Sequence, residues 1–262
     1  PDGISDVGII TLTLPTVRPL FDNPVYPVGR SPGSLVAGDL NGDGTPDLVV
    51  TSETDSTVSV LINARNGFYA NAVEYNVAGS PPFVTDVAIG DLDGDGDADV
   101  TVTNSVGGSV SVLLNRSDGT FDDAVEYEAE AGATLAVVED LNGDGSVEIL
   151  ISSPVTGAIT VLTSGGGGAF ASAGTVDFGR LINSIVVAEF DGDGELDVAT
   201  ANLFDGTVSV SLQSGLTRYD VGLWPHTLKT GDLNGDGALD LVVINALGDK
   251  VICLYNDGAG GF

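Results

Sequence analysis

An all-β protein built from five four-stranded repeats is the fold that this sequence predicts. One acidic loop recurs five times, and the first carboxylates of successive copies are 52, 49, 49 and 43 residues apart. Short β-branched runs flank every copy, and no segment of useful length has the periodicity of an amphipathic helix. A period of about 40 to 50 residues with several strands per repeat is typical of the blades of a β-propeller.

Each repeat contains the same four predicted strands, as the first copy illustrates. A short apolar segment, residues 34–37, precedes the acidic loop, and a β-branched run, residues 48–51, follows it. An alternating strand comes next at residues 57–61, and a more polar strand at residues 72–75 ends the unit. The first two strands are apolar on both faces, which is typical of buried inner strands.

The repeats predict a single propeller domain over residues 1–262. We expect its blades at residues 31–78, 79–130, 131–178, 179–222 and 223–262. The last blade lacks a fourth strand, which we expect residues 21–28 to supply, so that an N-terminal strand closes a ring of five blades. Residues 1–20 then hold an extra strand. The alternative is that the repeats are part of a larger propeller of about six to eight blades.

The charge balance excludes several classes of partner. With 8 basic and 38 acidic residues the formal net charge is -30, which repels nucleic-acid phosphates and anionic lipid surfaces. No apolar run approaches the length of a membrane span, so we expect neither nucleic-acid binding nor membrane insertion. The lone cysteine, Cys253, lies in an alternating apolar stretch, and we expect it to be buried and to form no disulfide within the chain.

The acidic loop carries oxygen side chains at a spacing that suits a hard cation. In the first copy, residues 39–47, positions 1, 3, 5 and 9 provide side-chain oxygens and position 7 provides a backbone carbonyl. These are the six or so oxygen ligands that Ca²⁺ prefers, whereas Mg²⁺ keeps several waters. A hairpin turn needs only one Asp or Asn and leaves the carboxylate at position 9 unexplained.

Five calcium sites are therefore predicted, one in each loop. The loop is no EF-hand, because position 12 never carries the glutamate that an EF-hand requires. The candidate ligands at positions 1, 3, 5, 7 and 9 of the five loops are Asp39, Asn41, Asp43, Thr45 and Asp47; Asp91, Asp93, Asp95, Asp97 and Asp99; Asp140, Asn142, Asp144, Ser146 and Glu148; Glu189, Asp191, Asp193, Glu195 and Asp197; and Asp232, Asn234, Asp236, Ala238 and Asp240.

We expect the calcium to have a structural role outside the cytosol. Extracellular calcium modules bind with dissociation constants of roughly 10⁻⁴ to 10⁻³ M. Calcium at about ten times that constant stabilises the native state by roughly 1.4 kcal/mol per site, or about 7 kcal/mol for all loops. This is comparable with a domain's whole stability of about 5 to 15 kcal/mol. Such sites fill only where calcium is near millimolar, which predicts a secreted or cell-surface protein.

The acidic nonapeptides, preceded by Val-Ala-Gly-Asp and followed by Asp-Leu-Val-Val, resemble the FG-GAP and VCBS repeats of integrin α-subunit propellers and of many secreted microbial proteins. The resemblance covers roughly residues 20–262. It implies a bladed propeller with Ca²⁺ in the loop between the first two strands of a blade. It also implies cell adhesion, carbohydrate binding or a non-catalytic part of a secreted enzyme, and the fold alone does not choose among these.

The function that we predict is that of a structural, adhesion or protein-interaction module that binds a protein partner or assembles with itself. The single histidine, His226, offers no catalytic constellation, and nearly half of the acidic residues belong to the loops, so we expect no enzyme. A part of a secreted polysaccharide-active enzyme is the least favoured alternative. Asn115 begins a glycosylation sequon, Asn-Arg-Ser, on a predicted loop.

A carbohydrate-binding propeller is the main alternative function. Trp224 and Tyr219 are the candidate aromatic side chains on which a glycan stacks, but tryptophan occurs only once in the chain. The recurring phenylalanines before the fourth strands are expected instead to pack between blades; they are Phe21, Phe68, Phe121 and Phe170.

Overall fold

The computed structural model describes residues 24–65, 68–77 and 83–262, and there the chain forms five antiparallel sheets. Four sheets contain four strands and the last contains three, paired in chain order. The strands are β1 (Pro32–Gly38), β2 (Asp47–Ser52), β3 (Thr57–Leu61) and β4 (Val73–Asn76); β5 (Val84–Gly90), β6 (Asp99–Asn104), β7 (Ser109–Leu113) and β8 (Val125–Glu128); β9 (Leu135–Glu139), β10 (Glu148–Ser153), β11 (Ala158–Ser164) and β12 (Phe170–Asp177); β13 (Ile182–Ala188), β14 (Asp197–Asn202), β15 (Thr207–Leu212) and β16 (Gly215–Asp220); and β17 (Pro225–Gly231), β18 (Asp240–Asn245) and β19 (Lys250–Leu254). The described residues include no helix long and apolar enough to cross a membrane. The all-β prediction and the five repeated sheets are confirmed.

The second and third strands form the buried middle of each four-stranded sheet. Every residue of β6 and β7 is buried, and their valine, threonine and serine side chains alternate between two covered faces. The fourth strands β4 and β8 are mostly exposed, which accounts for the glutamates that they carry. The change in polarity along each repeat therefore follows the order of the strands from the inside of the blade to its outer edge.

Successive blades pack through aliphatic faces and through aromatic pairs. Tyr75 on the fourth strand of the first blade packs edge-to-face on Phe121 of the second, with ring centroids 5.4 Å apart, and Tyr127 packs in the same way on Phe170 of the third, at 5.8 Å. Phe121 and Phe170 are buried, as the blade-packing prediction requires. Phe68 is exposed instead.

Tyr69, the residue after Phe68, occupies the packing position that the sequence predicts for Phe68. Tyr69 forms an isolated bridge with Asn63, as Phe121 does with Asn115, so the register of the hairpin selects Tyr69 as the packed ring. Phe21, the remaining phenylalanine of that prediction, lies outside the described residues.

The predicted closing strand, residues 21–28, falls partly outside the described residues. Residues 24–28 form no ladder with β19, so closure by a fourth strand of the last sheet is not seen. Tyr26 packs edge-to-face on Tyr69 of the first blade, 5.5 Å between centroids, as Tyr75 packs on Phe121. Residues 24–28 therefore lie beside the first blade in the position that the fourth strand of a preceding blade would have. The extra strand predicted within residues 1–20 lies outside the described part of the chain.

One side of the fifth blade is uncovered, and this corrects the prediction for Cys253. Ile244 and Val251 are 46% and 66% exposed, whereas Thr51 and Val58, at the same positions of the first blade, are buried. The second blade covers those positions of the first, and no described residue covers them in the fifth. Cys253 lies on this open side and is exposed rather than buried.

The connections between strands lie on two opposite faces of the domain. The acidic loops and the hairpins between third and fourth strands form one face, the loop face. The turns between second and third strands, together with the connections between blades, form the other, the turn face. Within the turn face each connection hydrogen-bonds to a turn; Leu203 N–H donates to the Leu181 carbonyl, and Ala246 N–H to that of Trp224.

Candidate functional site

Each acidic loop is folded around its own carboxylates. In the second loop the Asp91 carboxylate accepts the N–H groups of Gly94 and Gly96, at 2.7 and 3.0 Å, and Asp93 accepts the N–H of Asp95. Gly94 and Gly96 have φ of 87° and 93°, a conformation that glycine adopts without strain and that lets the backbone wrap its amides around position 1. Asp39, Asp140 and Asp232 accept two or more loop amides in the same way.

Position 7 of each loop contributes its backbone N–H to this arrangement, and in the first loop the Thr45 hydroxyl adds a side-chain hydrogen bond. The N–H of the position-7 residue donates to the carboxylate at position 5 in every loop; these residues are Thr45, Asp97, Ser146, Glu195 and Ala238. An alanine at position 7 of the last loop is therefore compatible with the same fold as the other four.

The carboxylate at position 9 connects three parts of a blade. Asp99, buried at the start of β6, accepts the N–H of Leu92 in the loop at 2.8 Å and the N–H of Asn115 in the neighbouring hairpin at 2.7 Å. Asp47 and Asp240 make the same two kinds of bond. This double role explains a carboxylate that a simple turn would not need.

An asparagine 16 residues after position 9 is a structural residue of the site that the sequence analysis missed. Asn115 Nδ2 donates to the Ala98 carbonyl of its own loop at 2.9 Å and to the Leu40 carbonyl of the first blade's loop at 2.7 Å. Asn256 ties the fifth blade to the fourth through Phe190 in the same way. The 16-residue spacing between position 9 and this asparagine was the signal in the sequence that could have revealed it. The hydrogen bonds from Asn115 and Asn256 connect the acidic loops of neighbouring blades.

The fold buries Asn115, the first residue of the sequon noted in the sequence. The residue is 6% exposed, and both hydrogens of Nδ2 are donated to backbone carbonyls. A glycan on that nitrogen would replace one of these bonds within a buried contact between blades, so the folded domain does not present this sequon.

Two of the five loops bring three carboxylates together. Side-chain oxygens of Asp91, Asp93 and Asp99 lie within 4.8 Å of one another. The fourth loop does the same with Glu189, Asp191 and Asp197. The other three loops have asparagine at position 3, at Asn41, Asn142 and Asn234, and so hold one carboxylate fewer. Each of the two clusters could hold a metal ion.

Burial and like charge perturb the carboxylates of these clusters. Burial, reinforced by the charges of Asp93 and Asp95, raises the pKa of Asp99 to about 6. Burial and the other acidic residues of its loop likewise raise the pKa of Asp197 to about 6. Among the described residues no lysine or arginine forms an ion pair with either cluster. Oxygen ligands without a protein counter-charge are the donor set that suits a hard divalent cation.

The first loop differs because a protein cation lies in it. Arg65 Nε is 2.9 Å from Asp43 Oδ2, and Thr45 Oγ1 donates to Asp43 Oδ1 at 2.5 Å. The hydrogen bond from Thr45 and then that from Arg65 lower the pKa of Asp43 to about 2. A guanidinium therefore already contacts one of the predicted calcium ligands, and the five loops are not equivalent.

The raised pKa of Asp99 leads to a prediction for the metal-free protein. Because the native carboxyl holds its proton up to about pH 6 and the unfolded one only up to about pH 4, the native state binds more protons within this window. This contribution to stability is complete below the window and is lost as the pH rises through it. In a chelator, the melting temperature of the wild type should fall more steeply from pH 4 to 6.5 than that of Asp99→Asn. Equal slopes would contradict the assignment.

The turn face carries a repeated set of exposed apolar side chains. The second residue of the turn between second and third strands is apolar and exposed in four consecutive blades; these residues are Val106, Val155, Phe204 and Leu247. Each is at least half exposed, and none has a structural partner in the core. The second to fifth blades therefore display one bulky apolar group each at equivalent places.

Two further apolar residues of the turn face have an unusual backbone. Leu181 and Trp224, in the connections before the fourth and fifth blades, have φ of 58° and 64° and are 39% and 45% exposed. Gly132 holds the equivalent place before the third blade, since its N–H donates to Ser105 as that of Leu181 does to Pro154. Glycine would occupy this left-handed conformation without strain.

Comparison with protein families agrees with the repeated loops. The model of the FG-GAP-like repeat matches three overlapping segments, residues 39–102, 91–151 and 140–200. The chain belongs to the FG-GAP-like repeat family. Each FG-GAP-like match begins at position 1 of one acidic loop and ends in the second strand of the next blade, so it contains two successive acidic loops and the strands between them.

Solved structures similar to this FG-GAP-like chain are propellers. BBS1N in complex with ARL6DN matches with a TM-score of 0.61 and 15% identity, over 90% of this chain and 68% of that one. The periplasmic gluconolactonase PpgL of Pseudomonas aeruginosa matches with a TM-score of 0.59 and 18% identity, over 88% and 68%. Virginiamycin B lyase of Staphylococcus aureus, crystallised with quinupristin, gives 0.57 and 13%, over 89% and 70%. These similarities confirm the propeller fold.

The same structures correct the prediction that this chain is not an enzyme. That prediction was based on one histidine and on carboxylates committed to loops. Two of the similar propellers are a lactonase and a lyase, so a chain of this architecture is not excluded from catalysis. His226 itself is exposed at the start of β17, with Nδ1 3.1 Å from Thr227 Oγ1.

Proposed function

We propose that this chain is a calcium-stabilised propeller that works outside the cytosol and binds another protein through its turn face. The FG-GAP-like repeats support a protein-interaction module, and the propeller of BBS1N offers a precedent, since that protein is in complex with ARL6. The two faces of the domain have separate tasks in this proposal. The loop face stabilises the blades, and the turn face meets the partner.

The acidic loops support the calcium part of the proposal. In the second loop Asp91, Asp93 and Asp99 would hold the ion, and in the fourth loop Glu189, Asp191 and Asp197. Calcium would supply positive charge there and offset the burial and, to a lesser extent, the like charges that raise the pKa of Asp99. The loops with asparagine at position 3 and the loop that contains Arg65 would bind calcium more weakly. The expectation of an extracellular location follows from the millimolar calcium that such sites need.

The observation that carries the protein-binding part is the placement of Leu181 and Trp224. A left-handed backbone at such residues costs about 1 to 3 kcal/mol, and residues strained in this way cluster at functional sites. Gly132 shows that the fold is satisfied by glycine at this position. Large apolar side chains that are strained and also exposed therefore serve the surface rather than the core, and exposed apolar sets of this kind mark interaction sites.

Carbohydrate binding has less support from the same side chains. The Tyr219 ring is packed edge-to-face on Phe262, 5.7 Å between centroids, and its hydroxyl accepts the Phe262 N–H. It is therefore engaged in the packing of blades rather than free to stack on a sugar. Trp224 is half exposed on the turn face, where the other exposed aromatic residues among those described are Phe83 and Phe204, single rings on different blades.

Photo-crosslinking from the two faces tests the proposed function. A benzoylphenylalanine placed at Val155 or Leu247 on the turn face should yield an adduct with one and the same protein in the native source, identified by mass spectrometry. The same group at Ser146, an exposed residue of the loop face, is the matched control and should yield none. Absence of a protein adduct from the turn face, or the same adduct from Ser146, would refute the proposal.

A further inference from the structure

A pocket on the turn face lies between the third and fourth blades. Its walls are Pro154 and Val155 from the turn of the third blade, and Arg180, Leu181 and Phe204 from the fourth. The pocket has a volume of about 260 Å³, somewhat below the roughly 300 to 1,000 Å³ of sites that enclose drug-sized ligands. It therefore fits one bulky side chain with a neighbouring group, not a whole small molecule of that class.

The apolar walls of the pocket are held in place by backbone hydrogen bonds. Leu181 N–H donates to the Pro154 carbonyl at 3.3 Å, and Phe204 N–H to the Arg180 carbonyl at 3.2 Å. Arg180 N–H donates to Asp205 Oδ2 at 2.8 Å. The bond from Leu181 joins the two blades, and the other two bonds hold the wall that the fourth blade supplies. Val155 and Phe204 remain 77% and 61% exposed. The pocket is formed before any ligand arrives.

Arg180 places a positive charge beside the pocket, and no ion pair with a described acidic residue neutralises it. Its guanidinium carbon lies 5.4 Å from the centre of the Phe204 ring, a cation–π contact that orients it beside the apolar walls. The other arginines in the described part of the chain each form an ion pair; they are Arg30, Arg65, Arg116 and Arg218. Arg180 forms no such pair within 4 Å of any described residue, and it is exposed to solvent.

We infer that this pocket binds a peptide segment of the partner protein that presents an apolar side chain next to a carboxylate. The apolar side chain fills the space between Val155, Leu181 and Phe204, and the carboxylate accepts hydrogen bonds from Arg180, whose planar fork suits a carboxylate. Three of the walls, Pro154, Val155 and Leu181, are aliphatic. The guanidinium of Arg180 lies over the one aromatic ring, Phe204, and together these walls favour a peptide over a sugar that stacks on an open aromatic face. The inference rests on the proposed function, and it names the chemistry by which the turn face selects its partner.

Two small probes separate the parts of this inference. N-acetyl-leucine carries the side chain and a carboxylate, and N-acetyl-leucinamide carries the side chain alone. We expect N-acetyl-leucine, in about 0.15 M salt to screen the acidic domain, to shift the backbone amide resonances of Val155, Leu181 and Phe204 with a dissociation constant in the millimolar range. N-acetyl-leucinamide should bind roughly tenfold more weakly, since it lacks the charged hydrogen bond.

Two variants test whether Arg180 causes the preference for N-acetyl-leucine over N-acetyl-leucinamide. Arg180→Met should abolish the preference for the acid without lowering the melting temperature, because the guanidinium touches only an exposed ring. Arg218→Met is the matched control on the same blade; Arg218 is already paired with Asp177, and its loss should leave probe binding unchanged.

Three results would overturn the inference: no shifts at the pocket, equal binding of acid and amide, or an unchanged preference in Arg180→Met. Shifts produced by glucuronate and not by N-acetyl-leucine would assign an acidic glycan instead. The crosslinked partner at Val155 provides the separate readout. If the adduct persists in Arg180→Met with undiminished yield, the pocket inference fails while the proposed function stands.

Discussion

Asn115→Ala should lower the free energy of unfolding by about 2 to 4 kcal/mol, because it leaves two backbone carbonyls unpaired in a contact between blades. The two carbonyls are those of Ala98 and Leu40, and Leu40 lies in the acidic loop of the neighbouring blade. Chemical denaturation with a two-state fit measures the loss, at equal calcium for both proteins.

Asn63→Ala is the matched control for that prediction. Asn63 holds the same position in the first blade, but among the described residues its Nδ2 donates only to Pro46 of its own loop. We expect a loss of about 1 to 2 kcal/mol, so that the difference between the variants reports the tie between blades. Equal losses would show that the contact from Asn115 to Leu40 contributes nothing.

Asp99→Ala should destabilise the domain by about 2 to 5 kcal/mol whether or not calcium is present. The carboxylate accepts two backbone N–H groups, from Leu92 and Asn115, and the substitution leaves both without a partner in a buried place. The same carboxylate is a predicted calcium ligand, so the calcium-dependent part of the stability should be lost as well.

Asp93→Asn separates the two roles of the second loop. Its amide oxygen can still accept the N–H of Asp95, so the loop should keep its fold, but the cluster loses one carboxylate. The variant should match the wild type in a chelator and fall below it only when calcium is added. A loss of stability in the chelator as large as that of Asp99→Ala would refute this division of roles.

The blades and loops could be predicted because their signals are local. The alternating β-branched run at residues 57–61 forms a strand, as its local pattern predicts. The acidic side chains of the first loop, such as Asp39, Asp43 and Asp47, have counterparts at the same spacing in the other four loops. What surrounds a strand is not local. Cys253 alternates with apolar residues as Val60 does, but the next blade covers Val60 and no described residue covers Cys253.

The polar contacts between distant residues were the part that the sequence left open. Asn115 resembled an exposed sequon, and only the fold over the neighbouring loop shows that Leu40, 75 residues away, receives its hydrogen bond. Arg65 could not be assigned to Asp43 for the same reason, since they are 22 residues apart and meet through a hairpin. The choice of Tyr69 over Phe68 depended on the register of that hairpin.

The melting temperature with and without calcium tests the central claim most directly. Wild-type protein at pH 7 in a chelator is compared with the same protein in about 10 mM calcium, at least ten times the dissociation constants typical of extracellular sites. Five equal sites at that saturation would give a rise of roughly 15 °C, and the two loops with three clustered carboxylates alone would give roughly 5 °C or more. Magnesium at the same concentration should produce a smaller rise. A melting temperature that calcium leaves unchanged would contradict the account of the loop face as a set of metal sites that stabilise the blades.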